Sequence, residues 1–232
     1  MLGLLNQSHL KISISMDEHD ILFKGYRLRP KKMIKTNIVS FIGSIISPKI
    51  RKTKKKYIQL GCGSNLPENF ENLDFFPMRF KEIFSFKHTC HDLRKSLPYE
   101  NNIFEGAFSE HTLEHLYYDE AINLLKEIKR ILKPGFIFRC TVPDLEIHID
   151  FYNNNLKDDF FDKFTTKAQA FYNLTQNFEH KSIWDYEILS KKMSEVGFKD
   201  IVKKKYKEGE NLDLLLDLEL RRPETLYIEC KS

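Results

Sequence analysis

At 232 residues, with 41% hydrophobic and 30% charged side chains, the chain is long enough for one large α/β domain and too apolar to be a disordered tail. Its net charge of +4 hides an uneven division: residues 1–56 hold 13 Lys/Arg against 3 Asp/Glu, and residues 57–232 hold 24 against 30. The acidic body argues against a nucleic-acid groove across it, and the basicity belongs to a leader over residues 1–56. Cys62, Cys90, Cys140 and Cys230 are scattered with no Cys-x-x-Cys pair. That excludes a disulfide framework and predicts free thiols in a reducing compartment.

The leader reads as three pieces. Met1 to Leu5 is apolar but short and lacks a basic start, so no cleavable signal is expected. Leu10 to Ser15 alternates as a strand does, and Ile21 to Leu28 is placed to pair with it. Asn37 to Ile46 is apolar, stops before Pro48 and is far too short to span a bilayer. Basic clusters flank it on both sides. Two readings stay open for it: a helix packed on the domain, or one lying on an anionic membrane surface through residues 27–56.

From Tyr57 the pattern becomes strand, crossover, strand, which predicts a parallel sheet. Tyr57 to Leu60 is the first strand, and it runs into Gly61-Cys62-Gly63, where glycine permits a sharp turn and close approach of a ligand to the backbone. Phe70 to Leu73 delivers Asp74 to the same crevice, where a carboxylate can accept both hydroxyls of a ribose. His88 to His91 is a third strand, ending at Asp92. His88, Cys90 and His91 offer no complete ligand set, and no metal site is expected. Phe104 to Phe108 is the fourth strand, ending in Ser109-Glu110-His111.

Asp119 is the expected N-cap of the next helix, whose apolar stripe is Ile122, Leu125, Ile128, Ile131 and Leu132, with Lys126, Glu127, Lys129 and Arg130 toward water. Phe136 to Val142 is the fifth strand, and Asp144 either orients a ligand at its mouth or merely ends it. Residues 145–182 carry little pattern. Trp184-Asp185-Tyr186 opens a helix that Gly197 closes, and Phe198 to Tyr206 and Thr225 to Cys230 read as two last strands around an acidic, leucine-rich loop.

Five segments in this order carry a resemblance: Leu60-Gly61-Cys62-Gly63-Ser64-Asn65; Asn72-Leu73-Asp74; His91-Asp92-Leu93; Ser109-Glu110-His111-Thr112-Leu113-Glu114-His115-Leu116; and Arg130-Ile131-Leu132-Lys133-Pro134-Gly135. Over roughly residues 57–230 the chain resembles class I S-adenosylmethionine-dependent methyltransferases, and within them a compact methyltransferase type 11-like bacterial branch linked with cell-surface glycan genes. The resemblance implies a Rossmann-like, mostly parallel sheet with an antiparallel last strand, flanked by helices, in one domain over residues 57–232. It implies S-adenosylmethionine as cofactor, held by Gly61, Cys62, Gly63, Asp74, Asp92, Leu93, Ser109 and Glu110. It further implies transfer to a small-molecule or glycan-type acceptor, a hydroxyl, in polysaccharide biosynthesis.

The expected location is the cytoplasm, peripheral to the inner face of a membrane if the leader binds one. Methyl transfer from a sulfonium relies on positioning, and a near-neutral base can take a proton from the acceptor. Glu114 and His115 follow His111 by three and four residues, so His111 and His115, able to share a helical face, are candidates for that base, and His180 is a third.

Gln59 stands where many class I members place an acid, and no third glycine follows Gly63. The first departure bears on cofactor affinity and keeps open a second reading, a catalytically degenerate scaffold tethered by its basic leader. A nicotinamide-dependent dehydrogenase is a weaker third, because the glycine loop is too short for that fingerprint.

Overall fold

The computed structural model describes residues 50–75 and 89–232, together with residues 34, 37, 38 and 40. The strands expected at residues 10–15 and 21–28, residues 41–46 of the apolar leader segment, and His88 lie outside the described residues. So do most of the flanking basic clusters.

Seven strands form one sheet: β1 (Tyr57–Leu60), β2 (Phe70–Asp74), β3 (Thr89–Cys90), β4 (Gly106–Glu110), β5 (Ile137–Pro143), β6 (Lys199–Lys204) and β7 (Thr225–Lys231). Their order is β3-β2-β1-β4-β5-β7-β6. The first five pair in parallel, and β7 runs antiparallel to both β5 and β6. This is the Rossmann-like α/β sheet with one reversed strand that the sequence implies. Helices cover the central strands, so these read as nearly continuous apolar runs: Ile58, Leu60, Leu73, Ala107, Phe108, Phe138 and Cys140 are fully buried.

Strand boundaries shift where tertiary contacts override local pattern. The fourth strand begins at Gly106 and not at Phe104, because the backbone of Phe104 is still engaged with Ile131 and Lys133. Pairing with β1 starts where Gly106 meets Tyr57.

Helix α1 (Tyr118–Ile131) begins two residues earlier than Asp119 suggested. Tyr117 is its N-cap, and the Glu120 carboxylate accepts the Tyr117 N–H at 3.0 Å. Its buried face is Ala121, Leu124, Leu125, Ile128 and Ile131, while Ile122 is only half-buried. Glu127 and Arg130, expected to face water, instead hold the turn at residues 97–101. Glu127 accepts the Leu97 N–H at 2.7 Å, and Arg130 donates to the Tyr99 carbonyl at 2.7 Å and the Leu97 carbonyl at 2.9 Å.

Residues 145–182, nearly silent in sequence, form α2 (Leu145–Tyr152) and α3 (Lys167–Thr175) with 3₁₀ turns at Asp159–Lys163 and Asn177–Glu179. Phe161 and Phe164 pack with Phe151 and Phe160 to form a satellite core beneath them. Asp144 ends β5 by capping α2, accepting the Glu146 N–H at 3.0 Å. Helix α4 (Tyr186–Val196) is bounded as its sequence predicts. Asp185 caps it by accepting the Ile188 N–H at 2.8 Å, and Gly197 closes it in the left-handed region.

On the far face of β5, Arg139 is fully buried between Asp217, at 2.6 Å, and Glu229, at 3.1 Å. The acidic loop is thus folded down onto the sheet. All four cysteines are free, with Cys62, Cys140 and Cys230 buried.

Candidate active site

The carboxyl ends of the parallel strands converge as the sheet topology requires. At the tip of β1 the N–H groups of Gly61 and Cys62 both donate to the Leu73 carbonyl, at 2.9 and 3.1 Å, and tie the glycine turn to β2. The Gly63 N–H donates to one Asp74 oxygen at 2.7 Å, and the Phe75 N–H to the other at 2.6 Å. One strand further out, the His91 N–H donates to the Asp74 carbonyl at 2.8 Å, which brings Asp92 beside the same edge. Gly61, Asp74 and Asp92 therefore stand on three successive neighbouring tips.

The Asp92 carboxylate is buried and gathers donors from its own surroundings. Arg94 donates to its two oxygens at 2.9 and 2.7 Å, the Arg94 N–H adds a third bond, and the Ser40 hydroxyl donates from the leader. Burial opposes its ionisation, but these hydrogen bonds outweigh that cost and hold its pKa below the ordinary value. Leu93 is buried behind it. Burial, with Asp74 nearby, pushes the Cys62 thiol up to about 12, so it is no thiolate at neutral pH.

A cofactor of the expected kind fits the residues at the inner tips. Gly63 has φ +54, and a Cβ there would meet none of the described residues within 4 Å, so among them the turn is open beside the Asp74 carboxylate. Gly61 to Gly63 would hold the methionyl part, Asp74 the ribose hydroxyls, and Asp92 with Leu93 the adenine edge. The bound molecule would supply an electrophilic methyl group on a sulfonium.

Ser109 and Glu110 end β4. Ser109 pairs in register with Leu60 and is fully buried, its hydroxyl without a partner among the described residues. The Glu110 carboxylate accepts the Leu218 N–H at 2.9 Å and so holds the acidic loop. The chain then turns through His111 at φ 47 into a 3₁₀ turn, Leu113–His115. His111 is itself left-handed and precedes the turn that holds His115, so the two do not lie along one helical face. Thr112 packs against Gly61, where an added Cβ would come within 2.0 Å of its hydroxyl, and that hydroxyl donates to the Leu60 carbonyl at 3.2 Å.

Beyond it lies a cluster of neutral rings and one carboxyl group. His111 Nε2 is 2.8 Å from Thr225 Oγ1. Since the Thr225 hydroxyl spends its proton on the Arg221 carbonyl, His111 Nε2–H is the donor and Nδ1 faces Glu114 Oε1 at 3.6 Å. His115 Nε2 is 3.9 Å from the same oxygen, and the His115 and His180 rings meet edge to face at 4.9 Å. Lys181 and Ser182 donate backbone N–H bonds to the Glu114 carbonyl at 2.7 and 3.2 Å, which fixes His180 beside this turn. The three histidines named from sequence are therefore brought together.

Their chemistry differs from a near-neutral base. Burial, then Arg221, pushes His111 well below its ordinary pKa; burial, then His180, lowers His115 to about 3; burial lowers His180 as well. Burial raises Glu114 to about 8. The close His–Glu approaches are accordingly contacts between neutral groups and not ion pairs.

Glu114, Thr225, Arg221 and Ser40 were not anticipated as parts of this region. Only Glu114 had a local signal, its place between His111 and His115; the others arrive through tertiary contacts.

A β3-β2-β1-β4-β5-β7-β6 sheet with a glycine turn after β1 and an aspartate closing β2 is the framework of a class I S-adenosylmethionine-dependent methyltransferase. Residues 58–140 match the family model described as a methyltransferase domain. That match identifies a methyltransferase domain over those residues. None of the curated proteins matches it. Among solved structures it is similar to an S-adenosylmethionine-dependent methyltransferase from Archaeoglobus fulgidus, at 18% identity over 87% of this chain and 94% of that one, with a TM-score of 0.49. It is also similar to one from Thermotoga maritima, at 16% identity over 87% and 93% with a TM-score of 0.48. Among the described residues no helix is long and apolar enough to cross a membrane.

Proposed function

We propose that the protein transfers the methyl group of S-adenosylmethionine to a hydroxyl of a small-molecule or glycan-type acceptor. The observation that carries this reading is the packing of Thr112 on Gly61, which sets the His111–His115 turn directly against the loop for the cofactor. An acceptor lodged against these rings would stand next to the sulfonium end, and the work left to the chain is to orient it and exclude water. The neutral imidazoles can accept a hydrogen bond from the acceptor hydroxyl, and the proton it loses as the C–O bond forms and the C–S bond breaks passes through such a ring to solvent.

The test is incubation of the full chain with methyl-labelled S-adenosylmethionine and hydroxyl-bearing saccharides or a small-molecule extract. Label should appear as an O-methyl product with one S-adenosylhomocysteine per transfer, and Asp74→Ala should abolish it. Cofactor binding with no transfer to any hydroxyl acceptor would overturn this reading in favour of a binding protein. Salt-sensitive liposome association would then fit tethering through residues 27–56.

A further inference from the structure

Glu114 presents an unusual problem for a buried acid. Its side chain is 2% exposed, and neither carboxyl oxygen has a hydrogen-bond partner among the described residues. A buried carboxyl group left without donors costs several kcal/mol, so its retention calls for a ligand. It does not stand alone: Glu114, His115 and His180 each offer one ligand atom, and these atoms lie within 4.8 Å of one another.

The ring orientations favour coordination. His180 Nδ1 is 2.7 Å from the Leu174 carbonyl, which can only accept, so Nδ1 carries the proton and Nε2 keeps its lone pair. His115 directs Nε2 toward Glu114 Oε1, at 3.9 Å. A ring nitrogen tied to a backbone carbonyl while the other faces inward is the arrangement that orients metal-ligating histidines. The carbonyl of Glu114 itself takes the N–H bonds of Lys181 and Ser182, so all three ligands ride on one clamped unit. An ion holding nitrogen and oxygen at about 2.0–2.2 Å brings its ligand atoms roughly 3–3.5 Å apart. Rotation of the partly exposed His115 supplies that closure.

We propose that Glu114, His115 and His180 bind a divalent transition-metal ion, with coordination positions left over for an acceptor oxygen. Two imidazoles and one carboxylate suit ions of the manganese-to-zinc series and leave the remaining positions open. The ion's use in catalysis rests on the hydroxyl-acceptor reading above; its binding does not.

Cobalt(II) is the probe, added to the full chain freed of metal by chelation, with visible absorption and calorimetry as readouts. One equivalent should bind saturably and give the d–d bands of a nitrogen–oxygen site. His115→Ala and Glu114→Gln should each weaken binding by more than about 10-fold, whereas Asp150→Asn on α2 should not. Because His115 is partly exposed, its variant should keep the wild-type melting temperature, which separates lost coordination from lost folding. The inference is overturned if the wild-type chain shows no saturable binding, or if His115→Ala binds as tightly as wild type. Saturable cobalt binding without O-methyl transfer to any hydroxyl would uphold the site and sink the acceptor reading instead.

Discussion

Gly61 and Gly63 share one turn and a positive φ, yet each is glycine for a different reason. At Gly61 the φ is +69 and the space is already filled by Thr112; at Gly63 the φ is +54 and the space is open. Gly61→Ala should therefore cost about 2–4 kcal/mol of stability in denaturant unfolding, from backbone strain and overpacking together. Gly63→Ala should cost only about 1 kcal/mol and instead weaken S-adenosylmethionine binding by calorimetry. Asp92 gives a pH dependence. Its folded pKa lies below the unfolded value, so its contribution is present above about pH 4 and is lost as pH falls through the folded pKa. Asp92→Asn should flatten that acid limb of the stability profile. The sequence placed Gly61, Gly63, Asp74 and Asp92 because each ends a strand by a local pattern. It could not show Ser40 on Asp92, a contact that spans 52 positions.

At the scale of elements, legibility follows how locally an end is decided. Helix α4 was readable at both ends, since Asp185 and Gly197 act on their own neighbours. Asp185→Ala should lower stability by about 1 kcal/mol, measured by thermal unfolding with the cofactor absent. Helix α1 was misread at its start because Tyr117 is no customary cap and Glu120 secures the turn instead. The 3₁₀ turn at Leu113–His115 was hidden for a related reason. Its shape is imposed by Ser182, whose hydroxyl donates to the Leu113 carbonyl at 3.1 Å and in turn accepts from the Trp184 indole at 2.9 Å. Ser182→Ala should leave that indole without its acceptor and loosen His180 from Glu114. The checks are a lower melting temperature and weaker cobalt binding in the same variant.

For the molecule as a whole, the alternation of strands and crossovers made the parallel half legible, while the placement of β7 between β5 and β6 depends on pairing with β5 across 82 to 94 positions. The same distance hid the role of Arg139, which sits in an apolar strand and finds Asp217 and Glu229 only after folding. Asp217→Ala should destabilise by about 3–5 kcal/mol in urea, because it leaves much of a buried charge uncompensated.

Strand β7 also bears on how the protein comes into being. During synthesis residues 225–231 emerge after the other six strands, and they fill a place inside the sheet between β5 and β6. They bring Thr225 to His111 and Glu229 to Arg139. A nascent chain halted before them would expose the flank of β5 and leave Arg139 with Asp217 but without Glu229. The parallel half can gather early, but the His111 ring meets its Thr225 partner only once β7 has threaded home.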